Sequence, residues 1–288
     1  MEKIKYLPQF NAFGIAEESW LEMNDQELMY LQSEDYARLG CAVPTEDAPT
    51  VGLLLGQEKG YLCIGRDYVQ SLARTGVKIL FLDYQHNLSQ LQHCNGLLLP
   101  GGAFVSPDWY YTDAKSDICE HTDERGRVYA ECFHYALVHG MPILGICAGM
   151  QIMAAELGYK LYRSQGYVET PLQHHTKKPL AHHIDLVENT PFRALIGDQW
   201  RLPVNSRHHE LLAPERVQKE LIKGRLPLDF YAFATDGIPE ALGKMEQGLL
   251  GVQWHPENCA ASGDKRQQRI FEWLADKAKQ EKNWQKSV

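Results

Sequence analysis

The chain has no run of 18 or more apolar residues, no C-x-x-C pair, no H-E-x-x-H motif, no internal repeat and no low-complexity segment. The first absence argues against a membrane-spanning helix, and the last two against a solenoid or a disordered array. Basic residues are also short. Lys and Arg number 29 against 37 Asp and Glu, a formal net charge of −8. That lacks the basic footprint of a nucleic-acid binder and the cationic grip needed on an anionic membrane. Seven cysteines, an odd number scattered from 41 to 259, do not make a disulfide framework. The opening MEKIKYLPQFNAFGIAEESW has no continuous apolar core of the signal-peptide kind. A cytoplasmic protein is therefore expected.

What remains is ordinary globular composition, 44% hydrophobic and 23% charged in 288 residues, enough to bury a sizeable core. Residues 1–48 lack the alternation seen later and are expected to form an N-terminal extension of unknown role. Helical spacing runs from Glu17 to Leu39, with Trp20, Met23, Leu28 and Leu31 among acids, before a turn-rich 41–50. From 49 to 288 a single domain is expected. VGLLLG (51–56), VKILFLDY (77–84), NGLLLPGG (95–102) and MPILGI (141–146) read as buried strands. Helical patterns at 61–76, 123–140 and 150–158 separate them. This order predicts a parallel sheet with helices on both faces. Strands are also expected at 181–187, 229–235, 240–245 and 249–254, with a terminal amphipathic helix at 267–279.

GICAGMQ (145–151) carries the sharpest chemical signal. A strand runs straight into Cys147, a helix follows, and Gly145 and Gly149 flank the cysteine two residues away on either side. This is the nucleophile-elbow pattern G-x-nucleophile-x-G, with sulfur in place of a serine hydroxyl. A helix N-terminus favours the thiolate, the reactive form. A thiolate nucleophile needs a histidine, and the histidine needs an orienting group. GVQWHPE (251–257) offers His255 and Glu257, two apart in a segment expected to be extended because Pro256 lies between them. The strand-end Gly101 and Gly102 in LLLPGGAFVSP, together with the Ala148 amide, are candidates for an oxyanion hole.

These three motifs, in this order, resemble a class I glutamine amidotransferase domain over about residues 50–275. Within that superfamily the chain is similar to the γ-glutamyl hydrolases, the γ-glutamyl-γ-aminobutyrate hydrolase group in particular. VNSRHHELL (204–212), ERGRVYAECFHYAL, TDGIPEAL (235–242) and the long segment around QHH (173–175) and AHHIDL point to the hydrolase branch. The resemblance implies a flavodoxin-like α/β three-layer sandwich with a mostly parallel central sheet. It also implies hydrolysis of small-molecule γ-glutamyl amides through a thioester. Cys147 would be nucleophile, His255 acid and base, Glu257 its orienter, and Gly102 and Ala148 oxyanion donors. Gln151 would shape the glutamyl pocket, and Asn205, Ser206 and His208 would line the substrate side. Two positions depart from the group, Ala148 in place of Arg and Glu210 in place of Gln. An acidic Glu210 favours a cationic leaving amine such as a polyamine conjugate.

No cofactor is required by this chemistry, and the oligomeric state, a homo-oligomer included, stays open. Three His-His pairs (174–175, 182–183, 208–209) raise the question of a metal. Adjacent strand histidines point to opposite faces, so no metal site is expected. Two other functions fit the same motifs. One is a glutaminase that feeds ammonia to a separate synthase. The other is a binding member of the superfamily without catalysis, against which the intact Cys, His and Glu argue.

Overall fold

A computed structural model describes residues 28–58, 61–102, 122–163, 172, 174–212 and 228–285. Its centre is a parallel array built by the apolar runs. Strands β2 (Thr50–Leu54), β5 (Lys78–Leu82), β6 (Gly96–Leu99), β7 (Ile143–Ile146) and β14 (Leu249–Val252) lie in the order β5-β2-β6-β7-β14, each parallel to its neighbour. Both faces of these strands are covered, so the runs are continuously apolar rather than alternating. Val51, Leu53, Ile79, Phe81, Leu98, Leu144 and Ile146 enter one core. Their neighbours Leu54, Leu80, Leu82, Leu97, Leu99 and Ile143 enter the other, as the period of two requires.

The first core is roofed by α2 (Arg66–Ala73), α6 (Pro191–Ile196), α7 (Pro256–Ala261) and α8 (Lys265–Gln285). The second lies under α3 (Asn87–Leu91), α4 (Thr122–Val138) and α5 (Ala148–Glu156). The mixed three-layer architecture follows, with its parallel strands in the middle. Beyond β14 the direction reverses. Strands β13 (Pro239–Lys244), β12 (Asp229–Ala234), β9 (His182–Leu186) and β10 (Arg201–Val204) extend the sheet antiparallel. A small sheet pairs β8 (Leu161–Arg163) with β11 (Glu210–Leu212), and β3 (Gly56–Glu58) forms a hairpin with β4 (Tyr61–Cys63). No helix among the described residues is long and apolar enough to cross a membrane, and the six described cysteines are free.

The opposite edge corrects one expectation. The helical spacing proposed over Glu17–Leu39 lies outside the described residues up to 27. Beyond that it resolves into β1 (Met29–Tyr30), antiparallel to β5, and α1 (Ser33–Arg38). Tyr36, 2% exposed, donates its hydroxyl to Val77 O (2.8 Å) and accepts from Ile79 N (3.1 Å). Tertiary pairing with an open sheet edge overrides the local pattern here. The helix expected at 61–76 also begins late, because Tyr61–Cys63 is taken by the hairpin.

Candidate active site

Three neighbouring parallel strands, β6, β7 and β14, release their chains at the same edge of the sheet. Crevices outside strand C-termini are where α/β folds place ligands. From β6 comes Pro100-Gly101-Gly102, from β7 Cys147, and from β14 Gln253-Trp254-His255.

Cys147 turns sharply between β7 and α5 with φ +52° and ψ −108°. Few non-glycine residues adopt this conformation, and it persists only where the surroundings enforce it. The flanking glycines are part of that enforcement. A side chain at Gly149 would strike the Leu99 carbonyl, and one at Gly145 would strike the Met153 sulfur. The motif is therefore dictated by close backbone approach across β6, β7 and α5. Cys147 becomes the N-cap of α5, which starts at Ala148, earlier than the spacing suggested. The Ala148 amide, at the first helical position, has no acceptor within the helix.

His255 arrives at the same place from β14. Its segment is not extended. Pro256 occupies the first position of α7, where its missing N–H costs nothing and its fixed φ suits a helix. His255 is thus the residue before the helix and Glu257 lies in its first turn, yet the two side chains still meet, with Nδ1 2.7 Å from Glu257 Oε1. The position just beyond Gly101 shows how tightly the groups converge. A Cβ built there would lie 2.6 Å from His255 Cε1, 2.9 Å from Tyr68 Oη and 3.2 Å from Cys147 Cβ. The Cys147 sulfur is close enough to favour the charged form of His255. Burial alone would lower the imidazolium, but the Glu257 charge and the Cys147 sulfur together outweigh it. They hold its pKa at about 10. Only 14% of the histidine side chain is exposed, enough for one ring edge to face a ligand.

Two neighbours were not apparent in the sequence. Tyr68 of α2 places its hydroxyl 3.1 Å from His255 Nδ1. Burial, then the Glu257 and Cys147 charges, raise its pKa well above the usual phenol range, so it stays protonated. The same hydroxyl accepts the Gly101 N–H at 3.0 Å. Gly101 was expected among the oxyanion donors, and this bond commits its amide within the protein. Arg125 of α4 is the second neighbour. Its guanidinium fills the space a Gly102 side chain would take and donates to Tyr129 Oη (2.9 Å), which in turn donates to Pro100 O (3.2 Å). Burial disfavours this cation, but the adjacent tyrosines and the Cys147 sulfur favour it, and the net shift is upward. Both residues sit on ordinary amphipathic helices, and no pattern marks them.

The remaining candidates form the wall behind His255. Asn205 clamps its main chain, donating to His255 O (2.7 Å) and accepting from His255 N (2.9 Å). Gln151, buried one turn into α5, donates to Glu210 O (3.0 Å) and to Gln253 Oε1 (3.2 Å). Glu210 is itself buried. Ser206 Oγ donates to His174 O (2.6 Å) and His208 Nδ1 to Glu210 O (3.0 Å). Ser206 and His208 thus face the antiparallel half of the sheet rather than Cys147.

A family model described as Peptidase C26 matches residues 54–257. The chain belongs to the Peptidase C26 family. Both the elbow and His255-Pro256-Glu257 lie inside the matched span. This Peptidase C26 member is 31% identical over 216 residues to YvdE of Lactococcus lactis subsp. lactis, a protein named as glutamine amidotransferase-like. The match covers 73% of this chain and 85% of YvdE. It is 28% identical to the CTP synthase of Chlamydia felis, over 65% of this chain and 34% of that longer enzyme. The glutaminase domain of Trypanosoma brucei CTPS, solved with bound acivicin, superposes with a TM-score of 0.60 at 15% identity, over 80% of this chain and 94% of the domain. That likeness is one of fold.

Proposed function

We propose that the protein is a cysteine-dependent hydrolase of γ-glutamyl amides. The observation that carries this reading is the convergence of Cys147, His255 and Tyr68 on Gly101, with Glu257 bonded to the far side of the imidazole. A raised His255 pKa supplies an imidazolium beside the sulfur at neutral pH, the partner a thiolate nucleophile requires.

Attack by the Cys147 thiolate on the γ-carbonyl forms a C–S bond, and the carbonyl π electrons move to oxygen. The amides of Gly102 and Ala148 stabilise that oxyanion. Its collapse breaks the C–N bond, and His255 protonates the departing amine. The neutral imidazole then takes a proton from water. Hydroxide adds to the thioester, the C–S bond breaks, and glutamate leaves with the thiolate and imidazolium restored. Glu257 and Tyr68 keep the ring oriented throughout.

The Glu210 main chain accepts from Gln151, four residues after Cys147, and we read its carboxylate as part of the pocket for the leaving amine. This supports a cationic leaving amine, of the polyamine type. If Glu210→Gln left the ranking of neutral and cationic leaving amines unchanged, that part would fail.

A second reading, a glutaminase delivering ammonia to a synthase, draws on the similarity to CTP synthase. Purified alone, a γ-glutamyl hydrolase turns over a panel of γ-glutamyl amides without a partner. Near silence on the whole panel, with glutamine cleaved only on adding a synthase, would replace the first reading by the second.

A further inference from the structure

One histidine from each His-His pair turns inward, and the three meet at one carboxylate. Glu240 Oε1 of β13 lies 3.5 Å from His174 Nδ1, 3.3 Å from His182 Nε2 and 3.7 Å from His208 Nε2. The donors on His174, His182 and Glu240 fall within 4.8 Å of one another. The four side chains are at most 4% exposed. Their partners point outward, His175 stacking on His209 with ring centroids 3.7 Å apart. Opposite orientation thus holds within each pair, but it does not keep members of different pairs apart.

The outer atoms of two rings are fixed. His174 Nε2 lies 2.8 Å from Asp236 Oδ2, and His208 Nδ1 lies 3.0 Å from the Glu210 carbonyl. Carboxylate and carbonyl both accept, so each of these nitrogens carries its hydrogen. In the neutral rings the lone pairs on His174 Nδ1 and His208 Nε2 therefore face Glu240. A carboxylate or carbonyl behind a histidine is the usual support of a metal ligand. Meanwhile His174 Nδ1, both nitrogens of His182, His208 Nε2 and both oxygens of Glu240 are buried with no hydrogen-bond partner. A proton can bridge one such pair, whereas a cation at the centre engages His174 Nδ1, His182 Nε2, His208 Nε2 and Glu240 Oε1 at once. Ligands 2.0–2.2 Å from a tetrahedral zinc stand roughly 3.3–3.5 Å apart, close to the three histidine separations from Glu240 Oε1.

We propose that His174, His182, His208 and Glu240 bind one zinc(II) ion, with Asp236 and the Glu210 carbonyl as outer supports. Imidazole and carboxylate suit this ion, and four protein donors make a closed, structural site. Its place gives it a role. Glu240 O accepts from Gln253 N (2.8 Å), two residues before His255, and Ser206 and His208 are both bonded to His174 O. The ion ties the chain before β9, the β10–β11 connection and β13 into the wall that presents His255.

The test is zinc binding to the full-length protein after chelation, by competition with a chromophoric chelator, in the wild type and in Cys147→Ala. One equivalent in both, raising the melting temperature, is the expected result. Glu240→Gln and His182→Asn should each weaken binding by at least about 100-fold, the upper end of what loss of an outer support costs. Cobalt(II) should give a four-coordinate visible spectrum without a thiolate band, which decides the ligand set even where a variant fails to fold. No bound zinc, loss of binding in Cys147→Ala, a thiolate band, or full affinity in both cluster variants would overturn the site. None of these readouts depends on which amide the enzyme hydrolyses.

Discussion

In the proposed reaction, two side chains set the chemistry that each of the others supports. Cys147→Ala and Cys147→Ser should lose turnover while keeping the wild-type melting profile, since the elbow's geometry is set by Gly145 and Gly149. Undiminished hydrolysis in either variant would remove the nucleophile. His255 yields a second expectation, with a definite sign. Its pKa is raised from 6.5 to about 10, so the imidazolium persists through neutrality and is lost as pH climbs through about 10. The leaving amine then has no proton donor, and the alkaline limb of kcat/KM should fall in that range. Glu257 is one of the groups that raise this pKa, so Glu257→Gln should move the limb toward neutral pH. An unmoved limb would mean that some other group sets it.

Among the elements, the β7–α5 connection is the most constrained. Gly149→Ala forces a methyl group against the Leu99 carbonyl and should cost about 1–3 kcal/mol in stability, as overpacking does. A displaced sulfur should lower kcat by ~100-fold, out of proportion to the lost stability. Denaturant midpoints and kinetics on the same preparation check both, and normal kcat would show that the turn tolerates the side chain. This connection was legible because a buried parallel strand, a sharp turn and a helix each leave their own mark. The antiparallel elements were partly legible. β9, β12, β13 and β14 alternate or run apolar, while RLPV, ELL and LYR are too short and mixed to stand out. Pro256 misled because proline forbids a helix interior but suits a helix start. The histidine cluster was hidden for another reason. Its members come from segments up to 66 residues apart, and the pairs drew attention to neighbours that face away from each other. Tyr68 and Arg125 carry no local signal, because their importance lies in a contact across layers.

At the scale of the molecule, the same His255 shift links the site to stability. A folded-state pKa above the unfolded one contributes stabilisation that is complete below about pH 6.5 and disappears as pH rises through about 10. The denaturant midpoint of the wild type should therefore drop over that interval more than that of His255→Asn. Equal slopes would mean that other groups dominate the alkaline titration. The Asn205 amide, which grips the His255 main chain from beyond β10, has a wider consequence. Sulfur and imidazole both leave neighbouring parallel strands, yet part of what keeps them aligned is rooted in the antiparallel half. Fraying of that half alone would disarm the enzyme while its parallel centre stayed intact. Gentle warming should thus abolish turnover at a lower temperature than it melts α4 and α5, and the loss should reverse on cooling.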